Sequence, residues 1–148
     1  MSLLALAGNQ NGGKTTLFNR LTGEEQQVGN WPGVTVERRE GRLPAPNADI
    51  TVIDLPGVYS LTPYSAEEAV TRGFLLEGPT HGIVNVVDAT QLERNLYLTL
   101  ELLALERPLV VALNLMDVSA RRGDWIDVPA LSAALGVPVV PISARRGD

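Results

Sequence analysis

The residues with most chemical content stand near the N-terminus, where Gly8-Asn9-Gln10-Asn11-Gly12-Gly13-Lys14-Thr15, followed by Thr16, fits the spacing G-x-x-x-x-G-K-S/T. An apolar run precedes it at Leu3 to Ala7 and a helix-type segment follows from Thr15 to Leu21. In a loop of this kind the backbone N–H groups curl around a diphosphate and the helix N-terminus adds positive potential. Lys14 then reaches the outer phosphates, and the Thr15 hydroxyl ligates Mg²⁺. The bland alternative is a glycine-rich turn that caps a helix and leaves Lys14 solvated.

A second group, Asp54-Leu55-Pro56-Gly57, follows the apolar run Ile50 to Ile53. An acid at a strand end can hold Mg²⁺ through water, opposite the Thr15 hydroxyl. Gly57 lets a backbone N–H approach a terminal phosphate closely, because it lacks a side chain. Alone, D-x-x-G is a common turn. A third group, Asn114-Leu115-Met116-Asp117, ends another apolar run, on the edge where open α/β sheets place ligands. The Asp117 carboxylate can accept the N1–H and 2-amino protons of guanine, a pair that adenine lacks, and the backbone of Ser143-Ala144 can meet the guanine O6. For the tetrapeptide alone, an N-cap role for Asp117 stays open. Between the first two groups, Val28-Gly29-Asn30-Trp31-Pro32-Gly33-Val34-Thr35 is rich in turn formers. Its Thr35 offers a second hydroxyl to Mg²⁺, and loops that order around a terminal phosphate need such marginal local stability. An ordinary surface loop with Trp31 packed on the domain is the other reading.

These groups need a scaffold that brings distant strand ends together, and the alternation of strand-type and helix-type segments supplies one. Strands are expected at Leu3 to Ala7, Glu37 to Leu43, Ile50 to Asp54, Gly82 to Asp88, Leu109 to Asn114 and Val137 to Ile142. Helices are expected at Thr15 to Leu21, Ser65 to Leu76, Gln91 to Leu105 and Val128 to Leu135, the second opening on a Ser-Ala-Glu-Glu capping pattern. Pro44, Pro46 and Asn47 read as a hairpin turn that sets the second strand antiparallel to the third. The expected fold is therefore α/β: a mostly parallel six-stranded sheet with one antiparallel strand and helices on both faces.

Composition narrows the class. The chain has 148 residues, 12 Lys+Arg against 17 Asp+Glu, one His and no Cys. That length suits one domain with a full core. Without cysteine there is no disulfide framework, thiol nucleophile or Cys-based metal site. A pI near 4.9 argues against nucleic acid as a partner, and no apolar run approaches the roughly 20 residues of a spanning helix. His81, with no carboxylate partner in sequence, reads as a surface or packing residue.

Taken in order, the phosphate loop Gly8 to Thr16, Thr35, Asp54 to Gly57, Asn114 to Asp117 and Ser143-Ala144 resemble the five elements of a Ras-like P-loop GTPase. The flanking stretches VGNWPGVTVE from Val28, DLPGVYSLTPYS from Asp54 and VVDATQLERNLYLTL from Val86 are similar to the N-terminal G domain of the FeoB ferrous-iron transport family. The resemblance implies GTP binding and slow hydrolysis to GDP, in a cytoplasmic switch domain of a bacterial inner-membrane transporter. It implies helical and permease domains as partners, possible self-association of the full-length protein, and truncation of this chain before the closing helix of the G domain. It further implies a K⁺ ion with Asn11 as its side-chain ligand; the bland alternative is that Asn11 caps or braces the loop. Gln10 and Gly12 depart from the family, which usually has proline and a small non-glycine residue there, and leave the loop freer.

Val58 stands where many GTPases have a water-orienting glutamine. Catalysis then rests on Lys14 and the metal at the phosphates, on the Gly57 N–H, and on a backbone group between Gly33 and Thr35 that holds the attacking water. Arg38 and Arg39 alternate across a strand, so at most one of them can turn toward the nucleotide. Two other readings remain: a soluble GTPase of ribosome assembly or tRNA modification, and an ATP-dependent or non-hydrolysing nucleotide module.

Overall fold

The structure, a computed structural model, describes residues 2–10, 13–23, 26–44, 46, 49–78, 80–115, 118, 121–123 and 126–142. Asn11, Gly12, Met116, Asp117, Ser143 and Ala144 lie outside the described residues. The strands are β1 (Ser2–Gly8), β2 (Gln26–Asn30), β3 (Glu37–Arg42), β4 (Ile50–Asp54), β5 (Gly82–Asp88), β6 (Leu109–Asn114) and β7 (Val139–Ile142). The helices are α1 (Lys14–Thr22), α2 (Ala66–Glu77), α3 (Leu92–Leu103, after a short 3₁₀ turn at Ala89–Gln91) and α4 (Val128–Leu135).

One sheet holds all these strands in the order β2-β3-β4-β1-β5-β6-β7. It has seven strands where six are expected from sequence, because β2 is a strand that hydrophobic periodicity cannot reveal. Gln26-Gln27-Val28-Gly29-Asn30 is polar, contains a glycine and is almost wholly exposed at the sheet edge. Both β2–β3 and β3–β4 are antiparallel, so β2 runs with the remaining strands and β3 alone is reversed, as the hairpin turn requires.

Strand alternation divides the core into two faces. Leu6 and Val52 meet Phe18 of α1 on one side. Ala5, Ala7, Ile53 and Ile83 meet Leu75 of α2 and Leu98 and Leu102 of α3 on the other. Val87, Val111 and Leu113 continue that second face toward Leu131 and Leu135 of α4. Burying each large side chain of this kind contributes about 1.5–3 kcal/mol. Two polar pairs inside the second face join α3 to β5: Thr99 Oγ1 donates to Asn85 Oδ1 at 2.5 Å, and the Asp88 N–H donates to Asn95 Oδ1 at 3.1 Å.

Helix ends follow local chemistry. Asp127 Oδ1 accepts the Ala130 N–H at 3.0 Å, and Gly136, at φ 75°, ends α4 in a left-handed cap. Ser65 is the N-cap of α2 but makes no side-chain bond to the helix backbone; its hydroxyl turns instead to the Glu68 carboxylate. Nδ1 of His81 accepts the Leu3 N–H at 3.0 Å, a packing role at the start of β1.

Candidate nucleotide-binding site

Three of the singled-out segments end neighbouring or near-neighbouring parallel strands on the same sheet edge. β1 ends at Gly8, β4 at Asp54 and β6 at Asn114, with Leu6 beside Asp54 in the β1–β4 register. The backbone must pass very near other strands here, and glycine permits it. A Cβ on Gly8 would lie 2.7 Å from the Val86 carbonyl oxygen. At Gly13 the backbone is left-handed, φ 91°, and a Cβ would meet Asn114 Nδ2 at 2.1 Å. Buried Asn114 therefore packs over the end of the phosphate loop from β6, a bracing contact that its reading as a base-side residue does not anticipate. Just beyond it Leu115 holds φ 66°, a left-handed conformation that costs a non-glycine residue about 1–3 kcal/mol.

Lys14 and Asp54, both buried, form an ion pair between the first turn of α1 and the end of β4. The Thr15 hydroxyl donates to the second Asp54 oxygen, Oδ2, at 3.4 Å. A cavity of about 600 Å³ opens beside them, lined by Asn9, Gln10, Gly13, Lys14, Thr15, Thr16 and Gly57. A second cavity, of about 330 Å³, shares Lys14, Thr15 and Gly57 with the first and adds Thr35 and Asp54. Thr15, Thr35 and Asp54, which carry hydroxyl and carboxylate oxygens, thus border one space. Such hard oxygen donors suit Mg²⁺, which keeps several waters and takes only one or two carboxylates.

Gly33, at φ 78°, sits in the turn that the Val34 N–H closes on the Trp31 carbonyl at 3.3 Å, and it is not among the residues lining these two cavities. Trp31 is anchored edge-on against Phe74 at 5.5 Å, with the Arg38 guanidinium 4.8 Å from its ring centroid. Alternation along β3 separates the two arginines. Arg38 faces Trp31 and Glu40, whereas Arg39 borders the smaller cavity and donates from Nε to Glu37 Oε1 at 2.9 Å. Glu67, in the first turn of α2, borders the same cavity. Nothing in local sequence signals that placement, which arises from the path of the chain between Gly57 and α2. Val58 is buried, 2% exposed, and its N–H donates to the Gly8 carbonyl at 3.0 Å.

A mostly parallel sheet with a glycine-rich loop between β1 and α1, and acidic and amide residues at the ends of β4 and β6, defines a Ras-like G domain. Comparison with known proteins narrows the class. The family model described as ferrous iron transport protein B matches residues 2–148, and the chain belongs to that family, FeoB. It is 51% identical to the Fe(2+) transporter FeoB of Escherichia coli strain K12, with 97% of this chain and 19% of the transporter covered. It therefore spans about a fifth of the length of the curated relatives it matches. Among solved structures, an S. thermophilus NFeoB mutant bound to GDP superposes with a TM-score of 0.94 at 53% identity, covering 99% of this chain and 57% of that one. The G domain of the T. maritima FeoB iron transporter gives 0.92 at 43% identity, covering 100% and 91%.

Proposed function

We propose that this domain binds GTP and GDP with Mg²⁺, hydrolyses GTP slowly, and acts as the regulatory switch of a ferrous-iron membrane transporter. The observation that carries the reading is the meeting of Lys14, Thr15, Thr35 and Asp54 around adjoining cavities at one sheet edge. Lys14 supplies charge to the outer phosphates, and the N–H groups at Gly13 and along the first turn of α1 point at the anion. Thr15, Thr35 and Asp54 would hold Mg²⁺, which neutralises phosphate charge when bound. Guanine selectivity rests with Asn114, Met116 and Asp117, with Ser143 and Ala144 at the O6 edge. The S. thermophilus relative crystallised with GDP supports this choice of base.

Slow hydrolysis follows from Val58, whose buried apolar side chain offers no group to a water. The water is held by the backbone between Gly33 and Thr35, the Gly57 N–H meets the terminal phosphate, and K⁺ at Asn11 adds the remaining positive charge. Residues 1–148 are the G domain. Its partners are the helical and permease domains of the same transporter at the cytoplasmic face of a bacterial inner membrane, and the full-length protein is open to self-association. Among the described residues no helix is long and apolar enough to cross a membrane.

Titration with a fluorescent GDP analogue in Mg²⁺, competed by GDP, GTP and ADP, tests the reading. GDP and GTP should displace the probe and ADP should not; equal competition by ADP and GDP refutes guanine selectivity.

A further inference from the structure

Gln10 projects from the phosphate loop onto the segment that follows Asp54. Its Nε2 donates to the Gly57 carbonyl at 3.3 Å, while the N–H of the same peptide unit, that of Val58, donates to the Gly8 carbonyl at 3.0 Å. The Gly57–Val58 peptide is thus held at both ends by the loop. Packing is close enough that a Cβ on Gly57 would lie 2.9 Å from Gln10 Cγ and 3.1 Å from Gln10 Cα. Both residues line the larger cavity together with Lys14, so a terminal phosphate that reaches the Gly57 N–H must enter beside this side chain. The neighbouring Asn9 is 4% exposed, and neither Nδ2 nor Oδ1 has a partner among the described residues. A buried amide left unpaired marks a loop arrangement that a shift on ligand binding can improve.

From this geometry we propose that Gln10 is a latch. It holds the Gly57–Val58 peptide against the phosphate loop in the diphosphate state and releases it when a terminal phosphate enters, and so sets the preference between GDP and GTP. The inference rests on the guanine-nucleotide reading above. Its sign follows from linkage: a bond present in one state and broken in the other favours the first, and removing the donor shifts the balance toward the second. Gln10 is exposed, so replacing its side chain leaves the core untouched.

The test compares wild type with Gln10→Met, which keeps the length of the side chain and loses the donor, and with Gln10→Ala. Affinities for GDP and for a non-hydrolysable GTP analogue are measured in Mg²⁺ with fluorescent nucleotides, and their ratio removes any effect common to both. Loss of one modest hydrogen bond should move that ratio about two- to tenfold toward the GTP analogue in both variants. In the GDP-bound form, hydrogen–deuterium exchange of residues 54–61 should quicken in both. A ratio that is unchanged or moves toward GDP, with wild type binding both nucleotides, overturns the latch and leaves the nucleotide reading standing. Wild type that binds neither nucleotide overturns both.

Discussion

Breaking the buried Lys14–Asp54 ion pair has a calculable cost. Side-chain exposure is 8% for Lys14 and 5% for Asp54, so neither charge has much water to fall back on. Removing one partner of a buried pair leaves the other uncompensated and costs about 3–5 kcal/mol. For a domain of this size each kcal/mol shifts Tm by about 2–4 °C, so Asp54→Asn and Lys14→Met should each lower Tm by roughly 10 °C. The double variant should lose less than the sum, because no lone charge remains inside. Thermal unfolding followed by far-UV circular dichroism, nucleotide-free and in EDTA, measures all three. GDP sharpens the test. In wild type without divalent metal, Lys14 must leave Asp54 to reach the phosphates, whereas in Asp54→Asn it is already without its carboxylate. The rise in Tm on adding saturating GDP in EDTA should therefore be larger in Asp54→Asn than in wild type. A variant within about 1 kcal/mol of wild type, or an equal GDP-induced rise in both proteins, refutes the reasoning.

Other consequences are expected elsewhere in the site. Gly13→Ala forces a Cβ toward Asn114 Nδ2 at a φ of 91°, so it should destabilise by about 1–3 kcal/mol in urea titrations and sharply weaken GDP binding; wild-type stability and affinity together would contradict the packing. Asp117→Asn should weaken GDP by about 1.5–3 kcal/mol and shift preference toward xanthosine diphosphate, as read by competition titration. Wild-type GTP turnover should be faster in K⁺ than in Na⁺ or Li⁺, and Asn11→Ala should remove that preference. Equal turnover in the three salts rejects the cation, and a large rate loss in Arg39→Ala would place the missing charge on β3 beside the smaller cavity instead.

What the sequence makes legible here depends on how local the signal is. β4, β5, β6 and α4 fall at the boundaries read from apolar runs and caps, because Ile50–Asp54, Gly82–Asp88 and Leu109–Asn114 are buried strands and Asp127 and Gly136 punctuate α4. The edge strand β2 carries no such pattern and is held by its ladder to β3, a partner that lies across the turn at Trp31. Lys14, Thr15 and Asp54 were readable as one site because their motifs fix backbone geometry at strand ends. Arg39 and Glu67 were not, since each reaches the cavity through the path of a whole segment.

The same distinction explains why Gln10 carries information that the motif alone does not. Within G-x-x-x-x-G-K-T the spacing dictates only where the backbone goes, and the intervening side chains are free to differ. Once β1 and β4 lie side by side, the residue two positions after Gly8 faces the peptide three positions after Asp54, and the Gln10 amide finds the Gly57 carbonyl 47 residues away in sequence. The contact follows from sheet register, and register is set by core residues such as Ala5, Leu6, Val52 and Ile53 that never touch a ligand. A change in packing between β1 and β4 would therefore shift the Gly8–Gln10 segment against the Asp54–Gly57 segment from inside the core.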